Sequence, residues 1–243
     1  MTKRQRLDVA LVERGLAPSR EKARALILAG DVLVRGATEL RAAALVEPDA
    51  PVELAARQRF VSRGGEKLDP VLDRFGIDVR GRVALDVGAS TGGFTDVLLQ
   101  RGASKVYAVD VGYGQLDQRL REDPRVVVME RTHISELASL PEQPEVAVVD
   151  VSFISLTKVL PSVVRLLRPG AAIVALVKPQ FEAGREEVDH RGVVKDPLVH
   201  AAVLGRIAAW CGDHRIRVRD LAQSPLLGPA GNREFFLHLE TPA

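Results

Sequence analysis

The strongest constraint on the fold of this chain is a regular alternation of short apolar runs with helical stretches. Five runs are rich in β-branched residues: Val83–Asp86, Lys105–Asp110, Arg125–Met129, Val146–Asp150 and Ala171–Val177. Helical patterns at Gly93–Gln100 and Leu156–Leu167 lie between them, and Pro197–Cys211 follows as a further helix. We also expect strands near Ile216–Leu221 and Glu234–Leu239. Such alternation predicts an α/β fold, with a mostly parallel, Rossmann-like sheet covered by helices on both faces.

The first 41 residues carry most of the positive charge. They hold nine lysines and arginines against five acids, so their net charge of +4 leaves −2 for the rest of the chain. A surface that faces a polyanion would have this composition, and so would the solvated surface of ordinary helices. Charge alone does not choose between these two interpretations.

Two short helices are predicted in this basic region. One covers residues 7–14 and stops at Gly15, and the other runs from an N-cap at Ser19 to Gly30. A strand at 32–35 follows. The predicted organisation is therefore a small basic domain, a short linker and the α/β domain, with bounds 1–54, 55–60 and 61–243.

Composition excludes several classes of protein. No stretch reaches the roughly 18–20 apolar residues that a membrane span needs, and the N-terminus turns into a charged helical pattern instead of the apolar run of a signal peptide. Cys211 is the only cysteine, which excludes disulfide frameworks within the chain and metal sites built from cysteine clusters. We expect a cytoplasmic, monomeric protein with neither a metal nor a membrane contact.

A glycine-rich segment follows the first predicted strand of the sheet. Its pattern is Asp86-x-Gly88-x-x-x-Gly92-Gly93, which differs from the G-x-G-x-x-G of dinucleotide-binding folds. Glycines let the backbone approach a ligand, and an acid at the strand end suits the sulfonium cation of S-adenosylmethionine. Asp110 closes the second strand, where a carboxylate can bind ribose hydroxyls. The pattern favours a methyltransferase, with a dehydrogenase or a plain tight turn as alternatives.

His133 follows the third strand, in a segment that would face the adenine of the cofactor. Its imidazole can hydrogen-bond the base or merely close a loop, and both interpretations stay open. The predicted cofactor site contains nine residues: Asp86, Gly88, Ala89, Ser90, Gly92, Gly93, Phe94, Asp110 and His133.

Four polar residues occupy positions that helix or sheet packing does not require: Lys67, Asp150, Lys178 and Glu234. Asp150 ends the fourth strand and Lys178 the fifth, so both are expected at the carboxyl edge of the sheet, where ligands bind in open α/β folds. Lys178 directly follows six apolar residues. A lysine at a sheet edge whose ammonium reaches solvent is the alternative explanation for it.

Residues 6–54 resemble the S4 RNA-binding domain. The resemblance is carried by Arg6-Leu-Asp8, Arg14-Gly-Leu-Ala-Pro-Ser-Arg20, Ala23 and Gly30-Asp-Val-Leu-Val-Arg-Gly36. S4 domains place two helices and the following turn against structured RNA, where lysine and arginine contact phosphates. The resemblance implies eight RNA-binding cations: Arg4, Arg6, Arg14, Arg20, Lys22, Arg24, Arg35 and Arg63. A generic small α/β module is the alternative.

With this domain, nearly the whole chain resembles the TlyA family, whose methyltransferase part is similar to the FtsJ-like ribose 2′-O-methyltransferases. The motifs are Val61-Ser-Arg-Gly-Gly-Glu-Lys-Leu68, the Asp86–Phe94 loop, Asp150-Val-Ser-Phe-Ile-Ser155, Leu176-Val-Lys-Pro-Gln-Phe-Glu182 and Gly231-Asn-Arg-Glu-Phe235. The resemblance maps a catalytic Lys-Asp-Lys-Glu tetrad onto Lys67, Asp150, Lys178 and Glu234. His133 departs from the family pattern, since relatives often carry asparagine or aspartate near the adenine.

The resemblance implies S-adenosylmethionine-dependent methylation of a cytidine 2′-hydroxyl in ribosomal RNA within ribosomal subunits, 23S and in some members 16S. Lys178 would lower the effective pKa of the hydroxyl or accept its proton. Asp150 would orient Lys178, while Lys67 and Glu234 position the ribose. Burial and Lys67 favour a neutral Lys178, and Asp150 opposes it. The target nucleotide would be turned out of its helix.

Three other functions compete with this interpretation. A non-catalytic RNA-binding assembly factor could keep the same fold, and a small hydroxylated molecule could be the methyl acceptor. The third is a membrane-active haemolysin, a name often used in the family.

Overall fold

The structure is a computed structural model that describes residues 4–28, 30–54 and 59–243. The chain divides into two compact units, Met1–Gln58 and Arg59–Ala243. We refer to them as the N-terminal and C-terminal units and describe each by itself.

The N-terminal unit packs two helices, α1 (Leu7–Glu13) and α2 (Arg20–Leu28), with five short strands. The strands are β1 (Gln5–Arg6), β2 (Val32–Val34), β3 (Ala37–Thr38), β4 (Leu45–Val46) and β5 (Val52–Leu54). β1 pairs with β4, and β2 lies between β3 and β5, with every pairing antiparallel. Leu11 of α1 and Ile27 of α2 join Val32 in a single small core.

The local sequence explains where the two helices begin and end. Gly15 and Gly30 have φ angles of 70° and 80°, the left-handed region that favours glycine after a helix. Ser19 Oγ accepts a hydrogen bond from the Lys22 N–H at 3.2 Å and so caps α2. The predicted helices are confirmed, with ends that differ by one or two residues.

A seven-stranded sheet organises the C-terminal unit. Its strands are β6 (Val83–Val87), β7 (Lys105–Val109), β8 (Val126–Met129), β9 (Val146–Val149), β10 (Ala172–Val177), β11 (Arg217–Gln223) and β12 (Phe235–Glu240). The order is β11-β12-β10-β9-β6-β7-β8. Five neighbouring strands are parallel to one another: β10, β9, β6, β7 and β8. Strand β12 is antiparallel to both of its neighbours, β10 and β11. The predicted α/β fold is confirmed, with each predicted strand within two residues of its observed bounds.

Helices cover both faces of this sheet. They are α3 (Arg63–Phe75), α4 (Gly93–Gln100), α5 (Gln118–Arg121), α6 (Leu156–Leu166), α7 (Pro179–Glu182) and α8 (Pro197–Asp213), with 3₁₀ turns at Ile134–Glu136 and Arg185–Glu187. Successive side chains of a strand enter opposite cores: Leu85 packs with Leu160 of α6 on one face, and Ala84 packs with Leu98 of α4 on the other. Each face therefore has its own apolar core.

Helix α3 is the main element that the sequence patterns do not reveal. Two glycines stand in its first turn and Pro70 lies inside it, and both residue types disfavour helix. The helix forms because its apolar face, including Leu68 and Leu72, is fully buried against the sheet and α4. Tertiary packing here outweighs local preference.

The expected linker at 55–60 falls partly outside the described residues, which resume at Arg59. Phe60 is buried, and its ring fills the space where a side chain at Gly65 would stand. Gln100 Nε2 donates to the Arg59 carbonyl at 2.9 Å. Arg59 and Phe60 therefore belong to the C-terminal unit, not to a linker.

Candidate active site

Strand register brings the predicted catalytic residues to one edge of the sheet. Val149 of β9 pairs with Val87 of β6, while Val177 of β10 pairs with Phe235 of β12. Because β12 is antiparallel to β10, its beginning lies where the parallel strands end. Three predicted residues stand one position beyond these paired residues: Asp150, Lys178 and Glu234.

Lys178 and Asp150 form an ion pair at this edge. Lys178 Nζ lies 2.6 Å from Asp150 Oδ1 and donates to Ser152 Oγ at 2.9 Å. One ion-pair contact, to Asp150, and one hydrogen bond, to Ser152, thus hold the ammonium group in place. The expected contact between Asp150 and Lys178 is present, and Ser152 is an additional partner that the sequence did not indicate.

Lys67 and Glu234 form a second, more deeply buried pair. Lys67 Nζ donates to Glu234 Oε2 at 2.6 Å, and the two side chains are 9% and 1% exposed. The sequence led us to expect that the charge of Lys67 would favour a neutral Lys178. That expectation needs correction, because Glu234 balances the charge of Lys67.

A cavity of about 350 Å³ is lined by all four predicted catalytic residues and by part of the glycine-rich loop. Lys67 reaches this cavity because the first turns of α3 and α4 are in direct backbone contact. A Cβ at Gly93 would stand 2.9 Å from the Gly65 nitrogen and 2.3 Å from Ser62 Oγ. The glycines at the start of both helices are therefore needed to bring Lys67 to the sheet edge.

The glycine-rich loop approaches its surroundings too closely for side chains at two positions. Gly88 has a φ of 86°, and a Cβ there would lie 2.3 Å from the Asp150 carbonyl oxygen. Gly92 has a φ of 95°, and a Cβ there would collide with Leu120. Left-handed backbone and close packing together require glycine at these points.

Asp110 is held rigidly beside this loop. Its Oδ2 accepts a hydrogen bond from the Ser90 N–H at 2.8 Å, and its Oδ1 accepts one from the Gly112 N–H at 2.7 Å. A carboxylate oxygen can accept more than one hydrogen bond, so Asp110 retains capacity for ligand hydroxyls. It lines a second cavity, of about 430 Å³, together with Gly88, Ser90 and His133.

His133 closes a loop, which is one of the two roles that the sequence left open, and its contact with adenine stays a prediction. Its Nδ1 lies 2.7 Å from Ser135 Oγ, and it caps the 3₁₀ turn at Ile134–Glu136. The same residue lines the cavity that contains Asp110. His133 closes a loop and also faces the candidate cofactor site.

Asp86 lies deeper than the cavities. It is fully buried; Oδ2 accepts a hydrogen bond from Thr95 Oγ1 at 2.7 Å, and Oδ1 has no hydrogen-bond partner among the described residues. Burial raises the pKa of Asp86 to about 7, against the opposing effect of the Thr95 hydrogen bond. Phe94 is also buried, against Phe236, so its part in cofactor binding stays a prediction.

Phe153 is a candidate functional residue that the sequence analysis missed. It is 89% exposed, has a φ of 64° and lies 4.8 Å from the Phe181 ring, centroid to centroid. A bulky residue in left-handed backbone is strained, and an exposed aromatic ring loses the benefit of burial. The signal available in the sequence was a large aromatic residue three positions after Asp150, beyond the end of its strand.

In the N-terminal unit, a buried carboxylate organises three of the predicted RNA-binding arginines. Asp8 is fully buried and accepts hydrogen bonds from Arg6, Arg20 and Arg24 at 2.9–3.1 Å, while the three arginine side chains are 42–53% exposed. These bonds, that from Arg6 foremost, hold the pKa of Asp8 well below its usual range. The result is a half-exposed cluster of guanidinium groups, which we call the Asp8 arginine cluster.

The other predicted RNA-binding residues differ in their surroundings. Arg14 donates to three backbone carbonyls within the N-terminal unit, those of Glu47, Pro48 and Ala50, so it has a structural role that the sequence did not indicate. Arg4 pairs with Glu47, and Arg63 donates to the Leu227 carbonyl at 3.3 Å within the C-terminal unit. Lys22 and Arg35 are exposed. Their contacts with RNA stay predictions.

Two family models match the chain. One describes FtsJ-like methyltransferases and matches residues 60–241. The other describes the S4 domain and matches residues 5–47. Together they account for both units.

Individual relatives agree with these models. The chain is 47% identical to the 16S/23S rRNA (cytidine-2′-O)-methyltransferase TlyA of Mycobacterium tuberculosis, over 99% of this chain and 91% of the relative. It is 34% identical to the 23S rRNA (cytidine-2′-O)-methyltransferase TlyA of Campylobacter jejuni, over 74% of this chain and 70% of that one. A solved structure from Streptococcus thermophilus that carries the hemolysin name is 40% identical, with a TM-score of 0.76 over 100% of this chain and 90% of its own.

Proposed function

Since this chain belongs to the FtsJ-like methyltransferase family, we propose that it transfers a methyl group from S-adenosylmethionine to the 2′-hydroxyl of a cytidine in ribosomal RNA. The proposal rests on one observation: two ion pairs, Lys178–Asp150 and Lys67–Glu234, line one cavity beside the glycine-rich loop. The names of the TlyA relatives supply the substrate.

The second cavity fits S-adenosylmethionine. Its volume of about 430 Å³ lies within the range of small-molecule sites, and Gly88 brings the backbone of the glycine-rich loop to its wall. Asp110 would hold the ribose hydroxyls and His133 would lie at the adenine. When bound, the cofactor supplies an electrophilic methyl group on a sulfonium sulfur. Gly88 and Asp150 line both cavities, which supports a methyl donor in one and an acceptor in the other.

Lys178 would act on the acceptor hydroxyl as a hydrogen-bond donor. Its ammonium group is already held by Asp150 and Ser152, so donation to the 2′-oxygen needs little reorganisation. The positive charge stabilises negative charge that develops on this oxygen as the proton leaves. Asp150, which contacts Lys178, would receive that proton. Lys67 and Glu234 would fix the ribose from the other side, and much of the rate gain comes from this positioning.

The RNA would be held at two further places. The Asp8 arginine cluster presents guanidinium groups to phosphates, and such contacts supply most of the affinity for RNA. Phe153 offers an exposed ring close in sequence to Asp150, where a base turned out of its helix could stack.

The methylation pattern of ribosomal RNA tests the proposal. Purified 50S and 30S subunits from cells that lack the protein are incubated with the full chain and tritiated S-adenosylmethionine, and 2′-O-methyl positions are mapped. We expect one new 2′-O-methylcytidine in 23S RNA; a second in 16S RNA would place this chain with the dual-specificity relative. No incorporation into either subunit would refute the proposal and favour a non-catalytic assembly factor.

A haemolysin was among the functions that compete with this proposal. Among the described residues, none of the helices combines the length and the apolar character needed to cross a bilayer.

A further inference from the structure

Asn232 is the only asparagine among the 243 residues, and it stands two positions before Glu234. Its side chain is 1% exposed and uses both ends of its amide. Nδ2 donates to the Gly192 carbonyl at 2.8 Å, and Oδ1 accepts from the Val194 N–H at 2.9 Å. A carboxamide can make both contacts because its NH₂ group donates, its oxygen accepts and it carries no charge.

The segment that Asn232 contacts belongs to the connection that starts at Lys178. This connection leaves β10, passes through α7 and reaches α8 shortly after residues 192–194. His200 holds it from a second side, since its Nε2 donates to the Val194 carbonyl at 3.0 Å and its ring packs edge-on against Phe235. The connection is therefore joined to the segment before β12 by the two hydrogen bonds of Asn232, and His200 packs against the first residue of that strand.

The backbone of residue 232 also holds the loop that surrounds Glu234. The Gly228 N–H donates to the Asn232 carbonyl at 2.9 Å. A Cβ at Gly228 would stand 2.5 Å from Glu234 Oε1, so the loop passes directly over this carboxylate. Glu234 Oε1 has no hydrogen-bond partner in the part of the chain that the structure describes. The placement of Glu234 thus depends on the backbone around it as well as on Lys67.

We propose that Asn232 is a positioning residue for the acceptor site. It joins the connection that begins at Lys178 to the loop that carries Glu234, and so it sets the separation of the two ion pairs that line the cavity. The inference rests on the proposed methyltransferase function, and it adds a residue that touches neither cofactor nor acceptor. Displacement of reacting groups by about 1 Å can slow a reaction by roughly 100-fold.

The test compares Asn232→Ala with Thr241→Val in the full chain. Thr241 lies just past the other end of β12 and is 4% exposed; its Oγ1 accepts from the Ala171 N–H at 2.9 Å and donates to the Arg168 carbonyl at 2.8 Å. It is thus a matched buried link between two backbone segments, distant along the strand from Glu234. We expect Asn232→Ala to lower kcat by roughly 10- to 100-fold. Its Kd for S-adenosylmethionine should change by less than about twofold, and Thr241→Val should keep kcat within about twofold.

Asn232→Asp provides a second variant of nearly the same volume in case the alanine variant does not fold. The aspartate keeps an oxygen that accepts from the Val194 N–H, but it places its second oxygen against the Gly192 carbonyl. The kcat of Asn232→Asp should therefore fall at least as far as that of Asn232→Ala. A kcat within twofold of the unmodified chain in either folded variant would overturn the inference. Equal losses of kcat in Asn232→Ala and Thr241→Val, at equal losses of Tm, would also overturn it. If the unmodified chain itself transfers no methyl group, the proposed function fails instead.

Discussion

Two charged clusters of this protein, one in each unit, combine lysine or arginine with carboxylates in opposite ways. In the N-terminal unit, three half-exposed arginines surround the single buried carboxylate of Asp8. In the C-terminal unit, Lys67 and Lys178 each have one carboxylate and are largely buried. An excess of exposed cations attracts a polyanion, whereas matched, buried pairs hold a geometry. We expect the ratio of cations to acids, together with exposure, to distinguish the proposed binding surface from the proposed reaction site.

The largest effect is expected from removing one half of a matched pair in the C-terminal unit. Lys178→Ala should lower kcat for methyl transfer by roughly 1,000-fold, since both charge stabilisation and orientation are lost. Cofactor affinity, measured by calorimetry, should change by less than about twofold. Lys105→Ala, which removes a half-buried lysine paired with Glu142 at the other end of the sheet, is the control and should leave kcat unchanged. Full activity of Lys178→Ala would remove Lys178 from the reaction.

Lys178→Arg separates the two roles that a lysine could have here. Arginine keeps the positive charge but does not accept a proton in proteins. We expect this variant to retain more activity than Lys178→Ala. An equal loss in both variants would show that Lys178 accepts the proton of the hydroxyl.

Phe153 tests whether the C-terminal unit also contributes to binding of the RNA. Phe153→Ala should lower kcat/KM on ribosomal subunits by roughly 10- to 100-fold, the usual worth of one stacked base. Tm should not fall, because the ring is 89% exposed and the φ of 64° is strained for phenylalanine. Phe153→Trp is the control, since it keeps a stacking surface and should retain most activity. An unchanged kcat/KM in Phe153→Ala would exclude a stacking role.

A substitution at Asp8 tests whether the Asp8 arginine cluster of the N-terminal unit binds RNA. Asp8→Asn should weaken RNA binding by roughly 10-fold at low salt, because the three arginines lose the carboxylate that aligns them. Fewer ordered phosphate contacts should also reduce the dependence of affinity on salt. Glu39→Gln, which removes the partner of the exposed Arg41 in the same unit, should leave affinity nearly unchanged. Tighter binding by Asp8→Asn would mean that its negative charge opposes RNA and does not order the arginines.

The smallest effect concerns Asp86, a buried carboxylate of the C-terminal unit that has no cation partner among the described residues. Its pKa of about 7 lies above the value near 4 of an unfolded chain. The folded state therefore binds the extra proton, and stability declines as pH rises from about 4 to about 7. Asp86→Asn lacks this titration and should be more stable at pH 8 by roughly 1 to 3 kcal/mol. Thermal unfolding of both proteins at pH 5 and pH 8 measures the difference in their stability. If Asp86→Asn gains no more stability at pH 8 than at pH 5, the raised pKa of Asp86 is contradicted.

Periodicity predicted the sheet and most of its helices because those segments bury one or both faces over several residues. It did not predict α3, where Gly64, Gly65 and Pro70 oppose helix locally and only contact with α4 and the sheet compensates. It likewise placed Arg59 and Phe60 in a linker, because burial of one aromatic ring leaves no periodic signal. In the N-terminal unit, β2 was predicted, but no bounds were predicted for β1, β3, β4 and β5, because two or three residues define no pattern.

At the site, the sequence identified the residue types at strand ends and one of the two ion pairs. Asp150 and Lys178 were predictable neighbours because parallel strands end at one edge. The contact between Lys67 and Glu234 was not, since 167 positions separate them and α3 itself was not predicted. Phe153, Asn232 and the role of Asp8 were missed because exposure and hydrogen-bond partners are properties of the folded chain.

By itself, the sequence determined the α/β class, the glycine-rich loop and the identity of the charged residues at the sheet edge. These follow from local chemistry: which side chains alternate, which backbone positions need glycine and which strand ends carry charge. The tertiary structure decided which acid neutralises which cation and how exposed each pair is. Ion pairs depend on distances of a few ångströms between segments remote in sequence, and those distances are set by strand register and by the close packing of α3 on α4.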